Sequence, residues 1–144
     1  MPKVLIAEDD LMIADMIEEI LVSNGYEVCG IARTVPEGVE LGRRHRPDLA
    51  VLDLRLADGG LGTEIASQLS DLDHFGVLYA TGNAAHVHLT AINGHACLAK
   101  PYVEDDLLRG LKIVSDMVAN GTVSQPFPRG FQVLATASGG ARSQ

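Results

Sequence analysis

The chain has 144 residues, of which 47% are hydrophobic and 21% charged, and a formal net charge of −8. That is one domain's length, with enough apolar content for a sizeable core, and it is not the composition of a disordered chain. The acidic balance argues against nucleic acid as a partner, and no apolar run approaches the roughly 18 residues of a membrane helix, so no membrane partner is expected either.

MPKVLIAEDD carries one lysine before turning acidic, which is not the pattern of a signal peptide. Cys29 and Cys97 lie far apart, form no C-x-x-C pair, and read as reduced core thiols of a cytoplasmic protein.

Lys3–Ala7 is a short apolar run with β-branched members and predicts a first strand that stops at Glu8, Asp9 and Asp10. Ile13, Met16, Ile17, Ile20 and Leu21 follow helical spacing, closed by Asn24-Gly25. Asp10 fits the N-terminus of this helix better than a metal site. Tyr26–Ala32 is strand-like, and Pro36–His45 is a weaker helix ahead of Pro47. Leu49–Leu54 is a continuous apolar strand broken only by Asp53. After a Gly-rich loop, Thr63–Leu72 has helical spacing, Val77–Ala80 is a strand, and Ala96–Ala99 is another. Leu107, Leu111, Val114 and Val118 line a last helix with Glu104, Asp105 and Asp106 in its first turn, where the dipole favours anions. Between the last two strands, Asn83–Asn93 (NAAHVHLTAIN) is a poor helix former and is expected to be the least stable helical segment. His86 and His88 within it have the wrong spacing for a metal pair on a helix, and His45, His74 and His95 read as surface or loop residues.

Strands alternating with helices predict an α/β fold, a doubly wound five-stranded parallel sheet over residues 1–121. Residues 122–144 are rich in Gly, Ser and Pro and read as a tail, docked through Phe127, Phe131, Val133 and Leu134, with no output domain.

In such a sheet, ligands bind outside the carboxyl ends of the strands where strand order reverses. For the order 2-1-3-4-5, Glu8 and Asp9 at the end of the first strand then meet Asp53 at the end of the third. Three carboxylates in one crevice repel, and a hard divalent cation, Mg²⁺, resolves the repulsion. Thr81 and Lys100 end the fourth and fifth strands at the same place. A hydroxyl and an ammonium beside a metal-bound carboxylate make a phosphoryl-transfer site with Asp53 as the acceptor.

VLIAEDD, VLDLRL, YATG and LAKPY together resemble the strand ends of the receiver domain of two-component response regulators, over about Lys3–Asn120. The resemblance implies a flavodoxin-like receiver whose Asp53 takes a phosphoryl group from a histidine kinase or phosphotransfer protein. By the same resemblance Glu8, Asp9, Asp53 and the Arg55 carbonyl hold Mg²⁺, while Thr81 and Lys100 bind phosphoryl oxygens. Tyr79-Ala80-Thr81-Gly82 is also similar to the Phe-Ala-Thr-Gly stretch of an alphaproteobacterial subgroup of single-domain receivers. The chain departs from the family where Cys97 replaces the usual aromatic switch residue three positions before the lysine. Arg55 and Asn83 occupy the positions that modulate phosphoryl lifetime.

The expected output is protein contact or a phosphate sink. Two alternatives compete: a pseudo-receiver that binds partners without phosphorylation, and an Mg²⁺-dependent aspartyl-phosphate hydrolase of the haloacid-dehalogenase type. The intact set Glu8, Asp9, Asp53, Thr81 and Lys100 disfavours the first. Asp53-Leu54-Arg55, lacking a D-x-D pattern, disfavours the second.

Overall fold

A computed structural model of the chain describes residues 1–82 and 94–134. Val4–Ala7, Leu49–Leu52 and Gly76–Thr81 are buried residue after residue, as strands covered on both faces must be. In chain order the elements are β1 (Lys3–Ala7), α1 (Leu11–Ser23), β2 (Glu27–Ala32), α2 (Val35–His45), β3 (Leu49–Asp53), α3 (Gly62–Gln68), β4 (Gly76–Thr81), β5 (Ala96–Ala99), α4 (Glu104–Asn120) and β6 (Phe131–Val133). A single 3₁₀ turn, Ala57–Gly59, precedes α3.

The sheet order is β2-β1-β3-β4-β5-β6, parallel through the first five strands and antiparallel between β5 and β6. Alternation along each strand sends successive side chains to opposite faces and divides the core in two. On one face Val4, Ile6, Val51, Leu78 and Leu98 meet Ile17 and Leu21 of α1 and Leu107, Leu111 and Val114 of α4. On the other, Leu5, Ala50, Leu52 and Tyr79 meet Val35 of α2 and Ile65 of α3, with Leu69 just beyond it. Each fully buried large aliphatic side chain contributes about 1.5–3 kcal/mol.

The helix ends follow the local chemistry. The Asp10 carboxylate accepts from the amides of Met12 at 3.0 Å and Ile13 at 3.4 Å, so this residue is the N-cap of α1. Thr34 caps α2, and Glu37 reaches back to the Arg33 amide at 2.7 Å. Asn24 closes α1, and Gly121, with φ +75°, closes α4 in the left-handed conformation that an Asn-Gly pair at a helix end predicts.

Four expectations are revised. The sheet has a sixth strand: residues 131–133 of the expected tail join the edge of β5, with Phe131 and Leu134 buried, Val133 half-buried and Phe127 more exposed. A three-residue strand behind a Pro-containing linker has no periodicity to reveal it. Helix α3 ends at Gln68 and not at Leu72, because Ser70, Asp71 and Asp73 are weak helix formers; Leu69 and Leu72 are nevertheless buried. His95 is half-buried, and its Nδ1 accepts from the Val77 amide at 3.1 Å. Cys97 is buried as expected, whereas Cys29 is only half-buried. The segment Asn83–Asn93, with His86 and His88, lies outside the described residues.

Candidate functional site

The register of the sheet assembles the site. Ala7 pairs with Leu52, so the next residues, Glu8 and Asp53, stand at neighbouring strand ends. Asp53 in turn pairs with Ala80, one residue before Thr81. Thr81 pairs with Ala99, one residue before Lys100, and the Lys100 amide donates to the Thr81 carbonyl at 2.7 Å. Four predicted residues from four strands thus reach one crevice.

Lys100 joins the acids. Its ammonium donates to Glu8 Oε1 at 3.0 Å and to Asp53 Oδ2 at 3.3 Å. Glu8 is 3% exposed, and its second oxygen accepts from the Asp10 amide at 3.2 Å. Ligand atoms of Glu8, Asp9 and Asp53 all lie within 4.8 Å of one another. When all three acids are ionised, a single ammonium leaves the cluster two negative charges in excess.

The electrostatics record that excess. Burial pushes the Glu8 carboxyl up to about 7; the Lys100 ammonium opposes this, while the neighbouring Asp53 reinforces it. Burial alone would lower Lys100, but its bond to Glu8 and the charge of Asp53 outweigh it and hold the ammonium above its ordinary value. Burial also pushes the Tyr102 phenol to about 12, and among the described residues its hydroxyl has no hydrogen-bond partner.

Thr81 is buried at the floor of the crevice. Arg55 is exposed just past β3 and forms a lone antiparallel bridge with Leu61. Asn83 lies outside the described residues. Cys97 does not join the polar cluster: it packs in the same core as Tyr79 and Leu134, and burial raises its thiol.

Sequence reasoning missed Gly62. A Cβ there would lie 2.1 Å from the Asp53 carbonyl oxygen, so the start of α3 rests directly against the backbone of the residue it supports. The Gly59-Gly60-Leu61-Gly62 run was the available signal. It also missed the apolar surroundings: Ile13, Met16, Pro101 and Tyr102 line a groove beside Lys100, and Leu11, Met12 and Val103 are exposed nearby in sequence.

A doubly wound sheet with a lysine-bridged acid cluster at its switch point defines a receiver architecture, and the comparisons agree. The model of the response regulator receiver domain matches residues 4–112, and the chain belongs to that family. The transcriptional regulatory protein PdtaR of Mycobacterium tuberculosis is 42% identical over 69 residues, covering 46% of this chain and 34% of that protein. The match thus spans about a third of that relative's length. The polar-differentiation response regulator DivK of Brucella anthropi is 34% identical over 88 residues, 58% of this chain and 70% of DivK. Among solved structures, the CheY-like receiver domain protein of Methanospirillum hungatei superposes with a TM-score of 0.72 at 29% identity, covering 85% of this chain and 99% of that one. Among the described residues, no helix is long and apolar enough to cross a membrane.

Proposed function

We propose that the protein is a phosphoacceptor of a two-component system, acting in the cytoplasm, with Asp53 as the modified residue. An Asp53 carboxylate oxygen attacks the phosphorus of a phosphohistidine on a sensor kinase or phosphotransfer protein. The P–N bond breaks as the P–O bond forms, and the histidine nitrogen keeps the electron pair. The single observation that carries this reading is the Lys100 ammonium bonded at once to Glu8 and Asp53.

The donor set fits Mg²⁺: closely grouped carboxylate oxygens with an excess of negative charge. Glu8, Asp9, Asp53 and the Arg55 carbonyl would hold it. When bound, it supplies charge neutralisation for the acids and for the incoming phosphoryl oxygens. Lys100 orients Asp53 and then pairs with a phosphoryl oxygen, and the Thr81 hydroxyl donates to another. Arg55 and Asn83 modulate the lifetime of the acyl phosphate, and water ends it by hydrolysis at the same site. The protein is thus a self-catalysing acceptor and not an enzyme acting on a separate substrate.

The exposed Leu11, Met12 and Met16 on α1 and the groove at Pro101 and Tyr102 flank the acceptor and suit an apolar donor surface. Signalling then follows by protein contact or by draining phosphoryl groups from a shared donor. The test is incubation with a small-molecule phosphodonor and with purified histidine kinases, with and without Mg²⁺, followed by mass mapping. Mg²⁺-dependent modification at residue 53, absent in Asp53→Asn, is expected. No modification of the wild type by any donor would favour the pseudo-receiver.

A further inference from the structure

One side of β5 pairs with β4, and the chain covers the other side with its own β6. Leu98 pairs with Phe131, Cys97 with Gln132 and Ala96 with Val133. The Ala99 amide donates to the Gly130 carbonyl at 3.0 Å, and the Leu134 amide to the His95 carbonyl at 3.0 Å. Phe131 enters the α1/α4 core above Gly110, and Leu134 enters the core on the opposite face. The seat is therefore specific, while the strand that fills it spans three of the described residues.

The connection to that strand is long and lightly held. Val118 of α4 lies against Gly76 at the start of β4, and Gly110 lies against Leu78 and Phe131, so α4 descends the sheet. Gly121 is eleven residues past Gly110, about 16 Å further along the helix axis. The linker 122–130 must climb back over that distance before β6 can begin. It has no helix or strand, and Pro126 and Pro128 bias Gln125 and Phe127 towards extended backbone. The side-chain hydrogen bonds holding it to the helix come from Arg109, to the Ser124 carbonyl at 3.2 Å and the Pro126 carbonyl at 3.1 Å, and from Asn120, whose Oδ1 accepts from the Thr122 amide at 3.1 Å and from the Thr122 hydroxyl.

We propose that β6 is exchangeable between copies: the β5 edge and Gly110 groove of one chain accept Phe131–Leu134 of a second, giving a reciprocal strand-exchanged dimer. Every contact of β6 with its seat is preserved on exchange, so monomer and dimer differ in the linker and in association entropy. A linker without helix or strand, closed by a turn in which the Phe131 amide donates to the Pro128 carbonyl at 3.2 Å, and a short strand keep that difference small. The occupant is a second copy because this segment is the one sequence shown to fit the edge. The proposal is independent of phosphoryl chemistry.

The experiment uses the full chain and two variants, read by light scattering and hydrogen exchange. Deleting Thr122–Pro126 leaves four residue steps between Gly121 and Gly130, a reach of at most about 14 Å, so that β6 can no longer return to its own edge. This variant is expected to double in mass, with the amides of Phe131 and Val133 still protected. Arg109→Ala releases the linker and is expected to raise the dimer fraction of the otherwise intact chain severalfold. In mixtures of differently labelled wild-type chains at millimolar concentration, contacts between Leu98 of one copy and Phe131 of the other are expected. A deletion variant that stays monomeric with unprotected β6 amides would overturn the proposal. So would wild-type mixtures without intermolecular Leu98–Phe131 contacts, or binding of an unrelated apolar strand peptide in preference to the chain's own segment.

Discussion

The crevice at the strand ends and the β6 edge lie at opposite ends of one scale of how firmly a protein fixes a feature. Glu8, Asp53, Thr81 and Lys100 are each one residue past a register pair within a sheet buried on both faces. Slipping any of those strands by one residue would exchange its side chains between the two cores and draw a polar end residue into apolar packing, so the crevice cannot be lost without losing the fold. The β6 strand rests on three register pairs, two buried side chains and a linker tied to α4 by Arg109 and Asn120. Chemistry is placed where the core enforces geometry, and exchangeable structure where it does not. Such low-stability elements are the ones free to move.

The largest effect that sharpens this contrast is expected from Lys100→Ala. It leaves the core untouched but removes the ammonium between Glu8 and Asp53. The expected outcome is retained folding with complete loss of the amide-shift response to a phosphoryl mimic. A full wild-type response would separate Lys100 from the site.

Gly62→Val comes next, because its Cβ would meet the Asp53 carbonyl oxygen at 2.1 Å. Backbone cannot swing aside as a side chain can, so a loss of about 3 kcal/mol or more is expected in denaturant melts, with impaired phosphorylation. Phe131→Ala should cost about 2–3 kcal/mol in the same melts, below the usual range for a buried aromatic because an edge strand can relax. Its decisive readout is selectivity: hydrogen exchange should quicken along β5 and β6, while phosphorylation of Asp53 persists. Loss of phosphorylation in this variant would break the separation of edge and crevice.

The last effect is a pH dependence. The folded-state Glu8 carboxyl titrates near 7 against an ordinary value of 4.5, so the folded chain binds the extra proton between those values. The stability this supplies is complete below about 4.5 and is lost as pH rises through about 7, at no more than about 1.4 kcal/mol per pH unit. Glu8→Gln should flatten that part of the metal-free stability profile. Asp71, exposed and held low by its bond to Arg43, has the opposite sign, favouring the fold above its unfolded value and losing that as pH falls. A steeper fall in the Glu8→Gln variant would contradict the placement of the buried acid.

Much of this was legible in the sequence for one reason: polar residues that interrupt or end an apolar strand are conspicuous. Asp53 inside LAVLD, the acids after KVLIA and the lysine after ACLA each mark a strand end. The fold class then brings them together. Gly62 was hidden because a glycine in a Gly-rich loop does not say which backbone it must approach. The sixth strand was hidden because Phe131-Gln132-Val133 forms a strand only against an edge that exists after the rest has folded. His95 was misread because its ring is held by a backbone amide of another strand, at a distance in sequence that no local pattern reports.

The central claim is that Asp53 is the acceptor at a lysine-bridged acid cluster. Its most direct measurement is residue-level mapping of the phosphorylated protein after reaction with a phosphohistidine donor, in the presence and absence of Mg²⁺. A single acyl phosphate on Asp53, dependent on Mg²⁺ and abolished in Asp53→Asn, is the predicted result. Phosphorylation at the wild-type rate in Asp53→Asn, or modification of the wild type at any other residue in preference to Asp53, would contradict it.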